Sequence, residues 1–68
     1  MTLQENIYNI MANKKMKQSL VARAAGYDPK TFNAMLRKRK AIKSDDILHI
    51  CKALEVTPNV LFSWEEKK

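Results

Sequence analysis

One glycine, Gly26, and two prolines, Pro29 and Pro58, are the only strong backbone breakers in 68 residues. With so few of them, and with no apolar/polar alternation lasting more than a few residues, the chain is confined to short helices joined by tight turns. The helix boundaries are signposted. Thr2 and Glu5 form a capping box, and Leu3, Ile7, Ile10 and Met11 follow at the spacing of one helix face. Asn13-Lys14-Lys15 ends that helix. A second helix is expected from about Gln18 to Ala25, with Val21, Ala22 and Ala25 inward, and Gly26 then marks a positive-φ turn.

The third helix has the clearest start. Asp28 is a good N-cap and Pro29 suits the first helical position. Tyr27 and Phe32 occupy the staple positions that fix how the chain approaches the helix. Phe32, Met35 and Leu36 form its apolar stripe, leaving Lys30, Asn33, Ala34 and Arg37 on the other side. Ser44 is read as the cap of a fourth helix, with Asp45 and Asp46 complementing its dipole and Ile47, Ile50, Cys51 and Leu54 inward. Thr57-Pro58, with Val56 and Leu61 as a second staple, opens a short fifth helix, and residues 65–68 are a polar tail. The expectation is one all-α domain of five helices.

Size and composition limit function. A domain this small buries only about 60% of its unfolded surface, which leaves no room for a deep cleft between lobes. The longest apolar runs, such as Val60-Leu61-Phe62, fall far short of the roughly 20 residues a membrane helix needs. Gln4, Glu5 and Asn6 interrupt any leader-like start, so a cytoplasmic location is expected. A lone cysteine and a lone histidine supply neither a disulfide nor a zinc site, and no cofactor or metal is expected. Cys51 reads as a buried structural thiol and His49 as solvent-facing. Nothing in the sequence supplies a nucleophile with its base, a carboxylate pair in a cleft or a phosphate-cradling glycine loop, so no enzymatic activity is expected.

Charge points to a partner. Thirteen Lys/Arg against seven Asp/Glu give +6, with a pI near 9.7. Lys30, Arg37, Lys38, Arg39, Lys40 and Lys43 fall together with no acid among them. Such a cluster is the footprint of a polyanion binder, although a solvated basic face has the same composition. The local pattern adds geometry. A small residue, Ala22, lies where a second helix would cross; Gly26 supplies the turn; Phe32 anchors the next helix from inside. That is a helix-turn-helix over about residues 18–37.

Two segments carry a family resemblance: Gln18-Ser-Leu-Val-Ala-Arg-Ala-Ala-Gly26 with Phe32-Asn-Ala-Met-Leu-Arg37, and Ile47-Leu-His-Ile-Cys-Lys-Ala-Leu54 with Val56-Thr-Pro-Asn-Val-Leu61. Together they resemble the helix-turn-helix domains of phage repressors of the lambda/Cro type and their bacterial Xre-like relatives, over roughly residues 3 to 63. The resemblance implies a compact five-helix DNA-binding domain, often a homodimer, that regulates transcription at an inverted-repeat operator in double-stranded DNA. It places Lys30, Asn33 and Arg37 at base-reading positions of the recognition helix, and Gln18 where a side chain holds a phosphate or buttresses a reader. Gln18 also has a simpler role open to it, capping its own helix. The sequence departs from the family at Pro29 and Ala34, often polar readers, and at Lys38 and Glu55, where a C-terminal glycine is common.

Chemistry assigns parts to these residues. Arg37 suits guanine O6/N7, Asn33 suits adenine N6/N7, and Lys30 suits guanine or a phosphate. Lys17, Lys38, Arg39, Lys40 and Lys43, with Gln18, suit the backbone, which gives affinity without sequence information. Tyr27 is a staple, or a phosphate contact through its hydroxyl. Val60, Phe62 and Trp64 cannot all point inward from so short a helix and are candidates for a dimer contact, with Trp64 folding back over the core as the alternative. A different function class remains open: a protein-interaction module, such as an antitoxin or anti-repressor-like partner, with DNA binding secondary. No small-molecule ligand is expected. Control would come from protein concentration, a partner or proteolysis.

Overall fold

The computed structural model describes residues 2–64, and the expected polar tail at 65–68 lies outside them. Five helices follow in order: α1 (Leu3–Lys14), α2 (Gln18–Ala24), α3 (Pro29–Leu36), α4 (Ser44–Leu54) and α5 (Pro58–Ser63). Their starts obey local hydrogen-bond chemistry. Thr2 Oγ1 accepts from the Glu5 amide at 3.2 Å while the Thr2 amide donates to Glu5 Oε1 at 2.9 Å, a complete capping box. Asp28 Oδ2 accepts from the Lys30 amide, and Thr57 Oγ1 from that of Val60, each at 3.2 Å ahead of a proline in the first turn.

One start differs from the sequence reading. Lys43, not Ser44, is the N-cap of α4, and Ser44 is already helical. The cause is Asp46, whose Oδ2 accepts from the Lys43 amide at 2.9 Å. A carboxylate reaches back three residues to the cap, so Asp46 selects Lys43; a cap at Ser44 would put Ile47 in that place.

Four of the helices end alike. After α1, α2, α3 and α4, a residue with positive φ donates to the carbonyl three residues back, and the next amide donates to the carbonyl five back. These are Lys15/Met16, Gly26/Tyr27, Lys38/Arg39 and Glu55/Val56, with φ of 58°, 89°, 64° and 61° at the turning residue. Each satisfies carbonyls that the helix itself leaves open. Gly26 was the one such turn the sequence announced. Lys38 and Glu55 take the left-handed conformation despite their side chains, so those helix ends keep the geometry a glycine would give.

The core draws on every helix: Ile7, Ile10 and Met11 from α1, Val21 and Ala22 from α2, Phe32, Met35 and Leu36 from α3, Ile50, Cys51 and Leu54 from α4, and Leu61 from α5. Leu3 and Ile47, expected inside, are only half-buried. Two polar ties hold the ends of the molecule together. Asn6, 4% exposed, donates through Nδ2 to the Leu61 carbonyl at 2.9 Å. Lys14 Nζ donates to the carbonyls of Leu54 and Glu55 at 2.8 and 3.2 Å, placing a cation on the C-terminus of α4. No described helix is long and apolar enough to cross a membrane.

Candidate nucleic-acid interface

α2 and α3 pack against each other, and Ala22 on α2 is fully buried. Gly26 then turns the chain at φ 89°, with open space where a Cβ would stand. Its glycine identity therefore answers a backbone conformation and not a close contact. Tyr27 stacks on Phe32 with ring centroids 6.3 Å apart and planes within 7°, the staple the spacing called for.

Tyr27 does more than staple. Its hydroxyl donates to Asp46 Oδ1 at 2.5 Å, joining the turn before α3 to the first turn of α4. Burial and then this hydrogen bond raise the tyrosine pKa well above its ordinary value. The Tyr27 hydroxyl, followed by the Lys43 amide and the nearby Lys40 and Lys43 charges, lowers that of Asp46 against a smaller opposing effect of burial. The proton of the Tyr27 hydroxyl is thus committed to Asp46 and not to a phosphate. His49, exposed as expected, stands edge-on to the same ring at 6.4 Å.

The outward face of α3 follows from helix geometry. At about 100° per residue, Lys30, Asn33 and Arg37 fall within an arc of about 60°, on the side opposite Phe32, Met35 and Leu36. Lys30 and Arg37 are exposed, and Arg37 closes the helix as its C-cap. Asn33 is half-buried, and Gln18 Nε2 donates to its Oδ1 at 3.2 Å across the two helices. Gln18 makes no cap bond; α2 begins at Lys17 without a side-chain cap. Lys17, Lys38, Arg39, Lys40 and Lys43 are all exposed. Lys38 is also close enough to contribute, after the dominant Thr2 hydrogen bond, to lowering the pKa of Glu5.

A family model for the Cro/C1-type helix-turn-helix DNA-binding domain matches residues 6–67. The chain belongs to that family. No curated protein and no solved structure matches it significantly. As a Cro/C1-type domain the chain binds double-stranded DNA, and its α2–α3 unit is the helix-turn-helix.

Two further places bear on the Cro/C1-type reading. On α5, Val60 and Phe62 point outward, at 37% and 58% exposure. Trp64 is half-buried and packs against the core, as in the alternative weighed for it. Sequence reasoning missed the roles of Asn6, Lys14 and Asp46. Asn6 had left a signal, since it sits at the spacing of Leu3 and Ile10 on the inner stripe of the first helix. The Lys14 and Asp46 ties had none, because each joins segments far apart in sequence.

Proposed function

We propose that this Cro/C1-type domain is a sequence-specific transcriptional regulator, a repressor of the phage type, acting as a homodimer on an inverted repeat. The observation that carries the reading is the Gln18–Asn33 hydrogen bond on the outward face of α3. An amide oxygen has two acceptor sites. With Gln18 on one of them, the Asn33 side chain is held with its Nδ2 available to donate to adenine N7, and its oxygen can still accept from N6. Arg37 and Lys30 flank it as readers of guanine, and Arg37 at the helix C-cap has reach to the edge of the half-site. Lys17, Lys38, Arg39, Lys40 and Lys43, with Gln18, engage phosphates on either side.

Each chain carries one recognition helix and measures 33 Å in its longest dimension. Half-sites about 34 Å apart therefore need two chains. Val60 and Phe62 are the apolar residues we assign to their contact, with Trp64 behind them. The same exposed pair favours the second reading, an antitoxin-like or anti-repressor-like module whose protein partner covers α5.

The test is base preference. Asn33→Ala and Arg37→Ala are each expected to relax discrimination at one base pair of the preferred site, at a cost of about 1–3 kcal/mol. Equal losses on preferred and random duplexes would remove that residue from the readers.

A further inference from the structure

The side of α2 turned away from α3 is apolar where a surface helix is ordinarily polar. Leu20 is 60% exposed, and Ala24, one turn on, is exposed beside it. With Val21 they form one wall of an open groove of about 440 Å³, closed by Met16 from the α1–α2 turn and by Ala53 from α4. Among the described residues, the charged ones in its lining are Lys15 and Lys17. At about 100° per residue, Leu20 and Ala24 lie roughly 200° and 240° around the helix from Gln18, the residue bonded to Asn33. Groove and reading face thus sit on different sides of the helix-turn-helix.

We infer that this groove docks a segment of a partner protein, an amphipathic stretch that sets apolar side chains on Leu20 and Met16 and a carboxylate against Lys15. Charge selects this occupant. An apolar floor offers a nucleic acid no hydrogen bonds, and methionine and leucine adapt well to peptide side chains. A second copy of the chain is disfavoured. A two-fold contact puts the same patch on both sides, which sets lysine against lysine with no acid among the described lining residues to offset them. The site goes beyond the DNA-binding reading and does not depend on the identity of the base readers.

The experiment titrates the full chain with a fluorescein-labelled amphipathic helical peptide of leucine and glutamate, and with its counterpart carrying lysine for glutamate. The acidic peptide is expected to bind at least about tenfold more tightly than the basic one, equivalent to about 1.4 kcal/mol. Leu20→Ser is expected to weaken it about tenfold, with the melting temperature and DNA affinity unchanged, and Lys15→Glu is expected to weaken it about tenfold as well. Lys40→Ala, on the DNA side, is expected to leave peptide affinity intact. Three results would overturn the inference: no binding; binding lost in Lys40→Ala but kept in Leu20→Ser; or self-association of the unliganded chain that Leu20→Ser abolishes. DNA affinity is measured separately in each variant, so failure here is distinguishable from failure of the operator-reading function.

Discussion

The Tyr27 hydroxyl donates to Asp46 Oδ1 at 2.5 Å, fastening the turn that leads into the recognition helix to the start of α4. The same Asp46 carboxylate accepts the Lys43 amide through its other oxygen. One side chain thus fixes both ends of the segment that carries Lys38, Arg39 and Lys40. Tyr27→Phe keeps the stack on Phe32 and removes only the donor. It is expected to cost about 1.5 kcal/mol in urea unfolding at neutral pH, the low end of the range for a hydrogen bond to a charged group, because Asp46 is only partly buried.

That cost depends on pH with a definite sign. Asp46 has a lowered pKa in the folded protein, so its contribution is present above the ordinary carboxylate pKa of about 3.9 and is lost as pH falls further. The Tyr27 pKa is raised, so its contribution is present below the ordinary tyrosine pKa of about 10 and is lost as pH rises above it. The stability gap between wild type and Tyr27→Phe should be flat between these limits and narrow on both sides. A gap that widened below pH 4 or above pH 10 would contradict the assignment.

The left-handed helix ends give opposite predictions at two positions. Glu55 holds φ 61°, a conformation that carries a steric cost for any side chain. Glu55→Gly is expected to stabilise the domain by about 0.5 kcal/mol, after allowance for the added freedom of glycine in the unfolded chain. Gly26→Ala should destabilise by about 1 kcal/mol through φ alone, since no atom stands within 4 Å of the added Cβ. Both are read from denaturation midpoints, with DNA affinity as the check that the fold is kept.

Asn6 joins α1 to α5 from inside, and its Oδ1 has no hydrogen-bond partner among the described residues. Asn6→Ala leaves the Leu61 carbonyl unpaired and is expected to cost about 2 kcal/mol. Asn6→Asp should be worse at neutral pH, because it sets a buried negative charge against that carbonyl, and should recover as the carboxyl is protonated at acid pH. Equal stability of the two variants at pH 7 would show that Leu61 is satisfied some other way.

Much of this was legible in the sequence, for physical reasons. Capping and staple positions are local, so Thr2, Asp28, Pro29 and Thr57 announced their helices, and the Ala22–Gly26–Phe32 spacing announced the helix-turn-helix. Ser44 misled because it is a good cap by type, whereas Asp46 three residues beyond Lys43 decided the register. The left-handed turns at Lys15, Lys38 and Glu55 carried no glycine to mark them; the paired bonds that follow each helix hold them there. Asn33 was readable as an outward polar residue. Its partnership with Gln18 was not, because it depends on how closely α2 and α3 cross.

Backbone contacts and base contacts separate by salt. Lys40→Ala is expected to weaken binding to preferred and random duplexes alike and to flatten the dependence of log affinity on log salt by about one phosphate contact, a slope change of about 0.9. Asn33→Ala should leave that slope unchanged. A Lys40→Ala loss confined to the preferred site would make Lys40 a reader instead.

Whether this Cro/C1-type domain reads an operator as a dimer is decided by selecting bound duplexes from a randomised DNA pool at physiological salt. The expected outcome is enrichment of an inverted repeat whose half-sites lie about one helical turn apart. Binding without any enriched sequence, vanishing as salt rises, would contradict it and leave the basic segment as an electrostatic anchor.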